Sequence, residues 1–299
     1  MSRLARRLHV VIGKGGVGKT TVSAALGLQL SRAGRRVLVA EVRVQQIPRL
    51  LGAEGRGYEI VRIADRLEAI SLDPKEAMRE YALMRLHSKL LVRSLLENRV
   101  VTAFLGFIPS LPELVMLGKL LHCVRTGEWD TVIFDAPATG HGLTFLGVPQ
   151  ALRDAVPPGA LRSEADWMQE ILVDSTATAV ELVTLPEELA VNETLELAEK
   201  AGQGLGLPLG RVLLNRHVPL RFSDEELKRL EVGIASEKLA AASRAAREHE
   251  IRARRSRHFE ERLRSSLSLP LVTLPMLHPE RAFGRAEIEA LAERIEAAS

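Results

Sequence analysis

The sequence predicts an α/β fold in which a doubly wound, mostly parallel sheet of about seven to eight strands carries a helical insertion. Three observations predict it. Short β-branched or apolar runs alternate with longer segments of helical periodicity, which is the pattern of βαβ units. Most of these runs, such as VLVA and TVIF, are apolar throughout, as expected of strands covered by helices on both faces. A glycine-rich loop follows the first run and opens a helix.

Composition places the chain among globular proteins. Its 299 residues are 46% hydrophobic, 26% charged and 4% aromatic, which excludes a disordered or fibrous chain. The net charge of +3 gives no reason to expect a polyanionic partner. One cysteine, Cys123, excludes an internal disulfide framework and a cysteine-based zinc or iron–sulfur site within one chain, and it indicates a reducing compartment.

We expect a cytoplasmic chain with no integral membrane segment. The start is basic, but the apolar run from His9 to Ile12 is too short for a secretion signal. The longest weakly charged stretch, Val100 to Val124, is interrupted by prolines and charges, whereas a membrane span needs about 20 continuous apolar residues. We expect a single domain over residues 1–299.

Seven runs are predicted as strands: His9–Ile12, Arg36–Ala40, Glu68–Leu72, Thr131–Phe134, Ala179–Thr184, Arg211–Leu214 and Leu271–Leu274. Between about residues 73 and 128 the alternation stops. The segment EAMREYALMRLHSKLLVRSLLE is predicted as one helix, and ELVMLGKLLHCV as another after a break around Phe107 to Pro112. A second strand-free stretch, Asp224 to Arg264, is basic with interleaved acids, which favours a solvated helix over a nucleic-acid surface.

The glycine-rich loop matches the phosphate-loop pattern G-x-x-x-x-G-K-[ST] between a strand and a helix. Its glycines let backbone N–H groups approach phosphate oxygens, and the helix N-terminus adds a positive dipole end. Lys19 is predicted to bridge the β- and γ-phosphates, and the Thr20 hydroxyl to ligate Mg²⁺. The pattern therefore predicts a P-loop NTPase whose nucleotide-binding residues are Gly13, Lys14, Gly15, Gly16, Val17, Gly18, Lys19, Thr20 and Thr21.

Lys14 departs from a plain phosphate loop. The spelling GKGGVGKT resembles the deviant Walker A superfamily, in which this lysine crosses a dimer interface and contacts the nucleotide of the other subunit. The resemblance implies a catalytic role for Lys14 beside Lys19, and a dimer. A solvated surface lysine is the alternative.

A carboxylate is predicted beside the loop. Asp135 ends the apolar run that starts at Thr131, and a Mg²⁺ ligand is needed at the carboxyl end of a buried strand next to a phosphate loop. Asp130 begins the same strand, on the far side. Asp135 is therefore the candidate metal ligand, with Thr20, and a candidate catalytic residue.

Four segments resemble the arsenite-pump and tail-anchored-protein-targeting ATPases: FDAPATGHGLTFL, LVTLPEELAVNETLEL, VLLNRHVP and LPMLHPE. The resemblance covers nearly the whole chain. It implies an ATPase that uses ATP and Mg²⁺, with Asn215 on the adenine base. The loop from Leu274 to Leu277, which includes Pro275 and Met276, would form the other wall of the base pocket.

Three departures from the family pattern matter. The single cysteine lacks the partners that clamp zinc between subunits or bind arsenite in some relatives. The helical insertion is short for a protein that buries a transmembrane helix. Its apolar side chains fit either a hydrophobic groove or packing onto the core: Val100, Val101, Phe104, Leu105, Phe107, Ile108, Leu111, Leu114, Val115, Met116 and Leu117.

The third departure concerns hydrolysis. Arg43 stands where relatives place the aspartate that polarises the attacking water, and a guanidinium cannot accept a proton. Glu41, two residues earlier, would have to swing in to replace it.

Three functions remain open from the sequence. The first is a dimeric ATPase, homomeric or heteromeric, whose nucleotide state controls a hydrophobic client or partner surface. The second is a slow or non-hydrolysing subunit that regulates an active paralogue. The third, a positioning ATPase on DNA or membrane, is disfavoured on the membrane side because the segment Ala286–Ser299 is acidic.

Overall fold

The computed structural model describes residues 6–99, 101, 103, 110–232, 237–278 and 282–298. One sheet has eight strands in the order β3-β4-β2-β5-β1-β6-β7-β8. All neighbouring pairs are parallel except β3 and β4. The strands are β1 (Leu8–Ile12), β2 (Val37–Val42), β3 (Val61–Ala64), β4 (Leu67–Leu72), β5 (Thr131–Asp135), β6 (Thr178–Thr184), β7 (Leu209–His217) and β8 (Leu271–Pro275).

Helices connect the strands and cover the sheet. In chain order the described helices are α1 (Lys19–Arg32), α2 (Gln46–Leu50), α3 (Pro74–Leu86), α4 (Lys89–Glu97), α5 (Leu111–Thr126), α6 (Thr139–Ala155), α7 (Ala160–Val173), α8 (Glu188–Glu199), α9 (Asp224–Val232), α10 (Glu237–Ser266) and α11 (Arg285–Ala297). A π-helical turn, Lys200–Gly204, extends α8.

The two faces of the sheet are covered by different helices. On one face, Leu26 of α1 and Leu291 of α11 pack with Ile133 of β5. On the other face, the helices α5, α6, α7, α8 and α10 contribute apolar side chains to a second core, in which the rings of Phe134 and Phe145 lie 5.0 Å apart. The central strands are therefore buried on both faces, which explains their continuous apolar sequences.

Each of the seven predicted runs forms a strand, which confirms the predicted fold class. The sequence missed β3, a four-residue edge strand in which only Ile63 is buried. Its local sequence pattern is too weak to predict a strand, and β3 forms because it pairs with β4.

The first helix predicted in the insertion is divided, so that prediction was wrong in length. His87 adopts a left-handed φ of 53°, which ends α3. The Ser88 hydroxyl accepts a hydrogen bond from the Leu91 amide and so caps the N-terminus of α4. Of the predicted break, residues 107–109 lie outside the described residues, and α5 begins at Leu111.

The apolar stretch of the insertion packs inward where it is described. Leu114, Val115, Met116 and Leu117 are buried in the core, which favours packing over a groove for Met116 and Leu117, whereas Leu114 and Val115 also line a cavity. Val100, Phe104, Leu105, Phe107 and Ile108 lie outside the described residues. Within the described chain, no helix combines the length and the apolar character that a membrane span requires.

Candidate functional site

The glycine-rich loop lies at the carboxyl end of β1 and leads into α1. Its backbone path demands glycine at two positions. A Cβ atom on Gly13 would lie 2.2 Å from the carbonyl oxygen of Val183, and Gly18 has a left-handed φ of 92°. No side chain in the described structure caps α1, so the amides of its first turn remain available to an anion.

Lys19 begins α1, and its ammonium folds back over the loop. Its Nζ donates a hydrogen bond to the carbonyl oxygen of Lys14 at 3.1 Å. Burial lowers the pKa of Lys19, and the nearby Asp135 carboxylate opposes that shift. The loop thus holds a partly buried cation beside the amides of the α1 terminus, which is the arrangement that phosphate groups require.

Asp135 lies at the foot of the loop, at the end of the strand next to β1. Its Oδ2 accepts a hydrogen bond from the Thr20 hydroxyl at 2.6 Å, and its Oδ1 accepts one from the Ser23 hydroxyl at 3.2 Å. Burial raises the pKa of Asp135 to about 6, although both hydroxyls and Lys19 oppose that rise. Asp130 lies at the other end of the strand and pairs with Arg36.

The Thr20 and Asp135 side chains offer oxygen donors, which suit Mg²⁺. Their 2.6 Å hydrogen bond brings a hydroxyl and a carboxylate to one point beside the phosphate cradle. In the described residues no three His, Cys, Asp or Glu side chains are grouped as a protein-only metal site. The pair therefore fits an ion that water and phosphate oxygens also ligate, because Mg²⁺ usually keeps several waters.

Two polar partners at this site were missed from the sequence. Ser23 follows Thr20 by three residues on α1, and helical spacing would have placed both hydroxyls on one face. Glu193 of α8 lies 2.6 Å from the Lys14 Nζ, and both side chains are about a third exposed, at 35% and 32%. No local sequence pattern could have predicted a contact between residues so far apart in the chain.

Asn215 lies near the end of β7 and contacts the loop directly. Its Nδ2 donates a hydrogen bond to the Val17 carbonyl oxygen at 2.9 Å, and its Oδ1 accepts one from the Arg216 amide at 2.9 Å. A Cβ atom on Gly18 would lie 2.4 Å from the same Nδ2. The structure therefore brings Asn215 and the loop together, and glycine at position 18 permits their close approach.

Pro275 and Met276 lie at the end of β8, beside the end of β7. Pro275 pairs with His217 in the sheet, and the Met276 amide donates a hydrogen bond to the His217 carbonyl oxygen at 3.0 Å. The Met276 side chain is exposed. These residues contact β7 two positions beyond Asn215.

The remaining predicted loop residues border this site. Gly15 and Gly16 are exposed, and a Cβ atom on Gly15 would lie 3.8 Å from that of Ala138, in the segment after β5. Val17 is buried in the core, and Thr21 is half-buried on α1.

Glu41 and Arg43 lie where β2 ends. Ala40 pairs with Phe134, so the residues that follow, Glu41 and Asp135, lie close to the carboxyl ends of neighbouring strands. The Glu41 carboxylate is 1% exposed and accepts hydrogen bonds from the amides of Gln46 and Ile47, at 2.9 and 3.2 Å.

Burial raises the pKa of Glu41 to about 7, with the amide hydrogen bonds opposing the rise. Arg43 is exposed, with a left-handed φ of 56°. The Glu41 carboxylate therefore anchors the start of α2, while the Arg43 side chain reaches solvent.

Comparison with known proteins relates this site to one family. The family model described as "Anion-transporting ATPase" matches residues 6–157, which include the phosphate loop and Asp135. ATPase BagA of Mycobacterium tuberculosis is 33% identical over 239 residues, which cover 76% of this chain and 70% of that protein.

Two further relatives match a shorter part of the chain. A putative arsenical pump-driving ATPase of Aquifex aeolicus is 28% identical over 155 residues, or 49% of this chain and 39% of that protein. ATPase GET3 of Malassezia globosa is 33% identical over 152 residues, or 48% of this chain and 43% of that protein.

Proposed function

Because this chain belongs to the anion-transporting ATPase family, we propose that it binds ATP with Mg²⁺ as a dimer and couples its nucleotide state to a hydrophobic client or partner. One observation carries the proposal. The Thr20 hydroxyl, the Asp135 carboxylate and the Lys19 ammonium converge at the loop that precedes α1. That convergence provides a phosphate cradle with a metal-binding end.

Each group has a distinct task in this proposal. The loop amides and Lys19 bind the phosphates, and Lys19 exchanges its contact with the Lys14 carbonyl for a phosphate oxygen. Thr20 and Asp135 hold Mg²⁺, which neutralises charge on the phosphates when it is bound. Asn215 supports the loop through Val17 and lies beside the base pocket that Pro275 and Met276 border.

Lys14 supplies the proposed link between subunits. In the single chain its ammonium pairs with Glu193, and both side chains remain about a third exposed. An exposed ion pair of this kind is weak, so Lys14 can exchange Glu193 for the nucleotide of a second subunit.

The client or partner surface that we propose centres on α4. This helix exposes Leu90 by 81% and Leu91 by 58%, and α3 adds the exposed Met84 and Leu86. Leucines that face solvent on two successive helices form an apolar patch, and such patches commonly mark interaction sites. The sequence placed this surface further along the insertion.

Isothermal titration tests nucleotide binding. We expect wild-type protein to bind ATP with Mg²⁺, and Lys19→Ala to weaken binding by at least about 100-fold because a charge-assisted phosphate contact is lost. Lys89→Ala is the matched control, since Lys89 is an exposed lysine at the start of α4. Equal ATP affinity in the Lys19→Ala and wild-type proteins would refute the proposed site.

A second function, a slow subunit that regulates an active paralogue, is favoured by the loop after β2. Both oxygens of Glu41 are within hydrogen-bond distance of the α2 amides, and Arg43 cannot act as a base. Neither side chain is ready to orient an attacking water, and loss of such a group slows hydrolysis by several powers of ten. Arg43 could instead stabilise charge in a partner's site.

Phosphate release separates the two functions. If this chain is the slow subunit, Arg43→Asp raises the basal rate of the purified protein, and addition of an acid-bearing paralogue raises the wild-type rate. Rapid multi-turnover hydrolysis by the wild type that is lost in Glu41→Gln would instead assign the water-orienting role to Glu41.

A further inference from the structure

We propose that a cavity between α3, α5 and α7 binds a single-chain amphiphile with an anionic head group, such as a long-chain fatty acid. The cavity has a volume of about 390 Å³. That is at the small end of the range of about 300 to 1,000 Å³ that small-molecule sites occupy. Its lining shares no residue with the phosphate-loop site and only Met84 with the proposed client surface, so the inference goes beyond the proposed function.

The walls of the cavity are apolar. Ala77 of α3 and Leu114 of α5 are buried, and Met168 of α7 is 4% exposed. Met84 and Leu161, at 45% and 41% exposure, lie where the cavity opens to solvent. Flexible methionines from α3 and α7 adapt to a hydrocarbon chain, whose burial is favourable by about 0.8 kcal/mol per methylene.

The acidic side chains that line the cavity are already paired. Lys119 donates a hydrogen bond to Glu80 at 2.7 Å, and Arg85 forms an ion pair with Glu164. These two pairs therefore contribute little net charge to the lining of the cavity.

Arg125 supplies a positive charge without a matching carboxylate. Its guanidinium lies 4.4 Å from the centre of the Trp167 ring, and within the described ranges it has no carboxylate partner. Trp167 is itself held in place, because its Nε1 donates a hydrogen bond to Glu164 at 2.7 Å. The exposed Arg125 thus places a fixed cation beside an apolar cavity, which favours a ligand with a hydrocarbon tail and an anionic head.

The size of the cavity argues against a client helix as its occupant. An α-helix with its side chains is about 10–12 Å across, and a cavity of about 390 Å³ between α3, α5 and α7 is small for a segment of that width. A single hydrocarbon chain is much narrower than a helix. We therefore expect the exposed leucines of α4 and this cavity to bind different ligands.

Trp167 provides an internal probe. The chain has two tryptophans, and Trp129 donates a hydrogen bond to Glu68 away from the cavity, so Trp129→Phe leaves Trp167 as the reporter. Full-length Trp129→Phe protein is titrated with sodium palmitate below its micelle concentration, with hexadecanol as the uncharged analogue. We expect a saturable change in emission at one palmitate per chain, with hexadecanol weaker by at least about tenfold.

Two variants in the same background test the two parts of the site. Gly118→Leu fills the cavity, because a Cβ at position 118 would lie 3.0 Å from the flexible end of Met168; we expect it to weaken both ligands by at least about tenfold. Arg125→Gln, at an exposed position, should weaken palmitate but leave hexadecanol unchanged. Arg257→Gln on α10 is the matched control, since Arg257 is exposed and paired with Glu261.

Three results would overturn the proposal. They are the absence of a saturable response to palmitate, a response that neither Gly118→Leu nor Arg125→Gln weakens, and a response to phosphatidylglycerol vesicles with none to soluble palmitate. The last would assign Arg125 and Trp167 to a membrane surface. Far-UV circular dichroism confirms folding, and Arg125→Gln keeps the test decisive if Gly118→Leu does not fold.

Discussion

The phosphate-loop end of the sheet and the helices around the cavity are built from different groups. At the loop, backbone atoms and short polar side chains converge: Asn215 contacts Val17, and Thr20 contacts Asp135. Around the cavity, methionine, leucine and tryptophan side chains form much of the lining, together with charged side chains such as Lys119 and Glu80, which are paired with each other. We infer that substitutions that alter the shape of the loop are costly, whereas the cavity region accommodates such substitutions. Variants in the two regions test that contrast.

The largest effect is expected at Asp135. Asp135→Asn retains an oxygen for the Thr20 hydroxyl but removes the charge that would hold Mg²⁺, so the apparent Mg²⁺ affinity in the presence of ATP should fall by at least about 100-fold. Isothermal titration with and without Mg²⁺ measures this, even if hydrolysis is slow. Glu164→Gln at the cavity is the comparison and should leave Mg²⁺ affinity unchanged; equal losses in both variants would erase the contrast.

Two glycine substitutions compare the regions directly. Gly18→Ala should lower the free energy of unfolding by about 2 kcal/mol, because residue 18 has φ 92° and the new Cβ would lie 2.4 Å from Asn215. Gly118→Ala lies within α5, where alanine is favoured by about 0.5–1 kcal/mol and the neighbouring Met168 end can move. Urea denaturation measures both, and a destabilisation of similar size in the two variants would contradict the contrast.

The buried carboxylate at the end of β2 should make stability depend on pH. The pKa of Glu41 is raised by burial to about 7, so its protonated form is favoured in the folded state. Its contribution to stability is therefore present below pH 4.5 and is lost as pH rises through about 7. Relative to the wild type, the unfolding free energy of Glu41→Gln should therefore rise by about 2–3 kcal/mol between pH 5 and pH 8.

Urea denaturation at several pH values measures this difference. The Gln46 and Ile47 amides both reach one oxygen of Glu41, so a glutamine can retain those hydrogen bonds. A difference between variant and wild type that does not change with pH would show that the titration of Glu41 is not shifted by folding.

The smallest effect on stability is expected at the exposed pair of Lys14 and Glu193. Glu193→Gln should change the unfolding free energy by no more than about 1 kcal/mol, because exposed ion pairs are weak. It should, however, raise the dimer fraction in the presence of a non-hydrolysable ATP analogue, since Lys14 is then released from α8. Sedimentation velocity measures the dimer fraction.

Two controls accompany that measurement. Lys14→Ala should lower the dimer fraction, and Glu196→Gln, which breaks the ion pair with Lys200 on the same helix, should leave it at the wild-type value. A dimer fraction that none of these changes alters would assign Lys14 to the surface of a single subunit.

The sequence predicted that the loop residues and Asp135 lie close together, because both follow local rules. The strand, the glycine pattern and the helix lie within consecutive residues, and a carboxylate that ends a buried parallel strand must lie at the same edge of the sheet as the loop. It missed Glu193, whose contact with Lys14 spans 179 positions of the chain. It also missed the anchoring role of Glu41, because whether a carboxylate at a strand end faces a helix terminus depends on how the next loop turns.

The order of the amino acids was enough to establish the βαβ alternation, the loop between β1 and α1 that requires glycine, and the family. These properties follow from side-chain periodicity and from the conformations that consecutive residues allow. Which apolar side chains are buried, in contrast, depends on how the helices pack in the folded chain. Leu114 to Leu117 and Leu90 to Leu91 are similar in sequence, yet the first set packs into the core and the second faces solvent. Burial is decided by what packs against a side chain, and at these helices the neighbours come from distant parts of the chain.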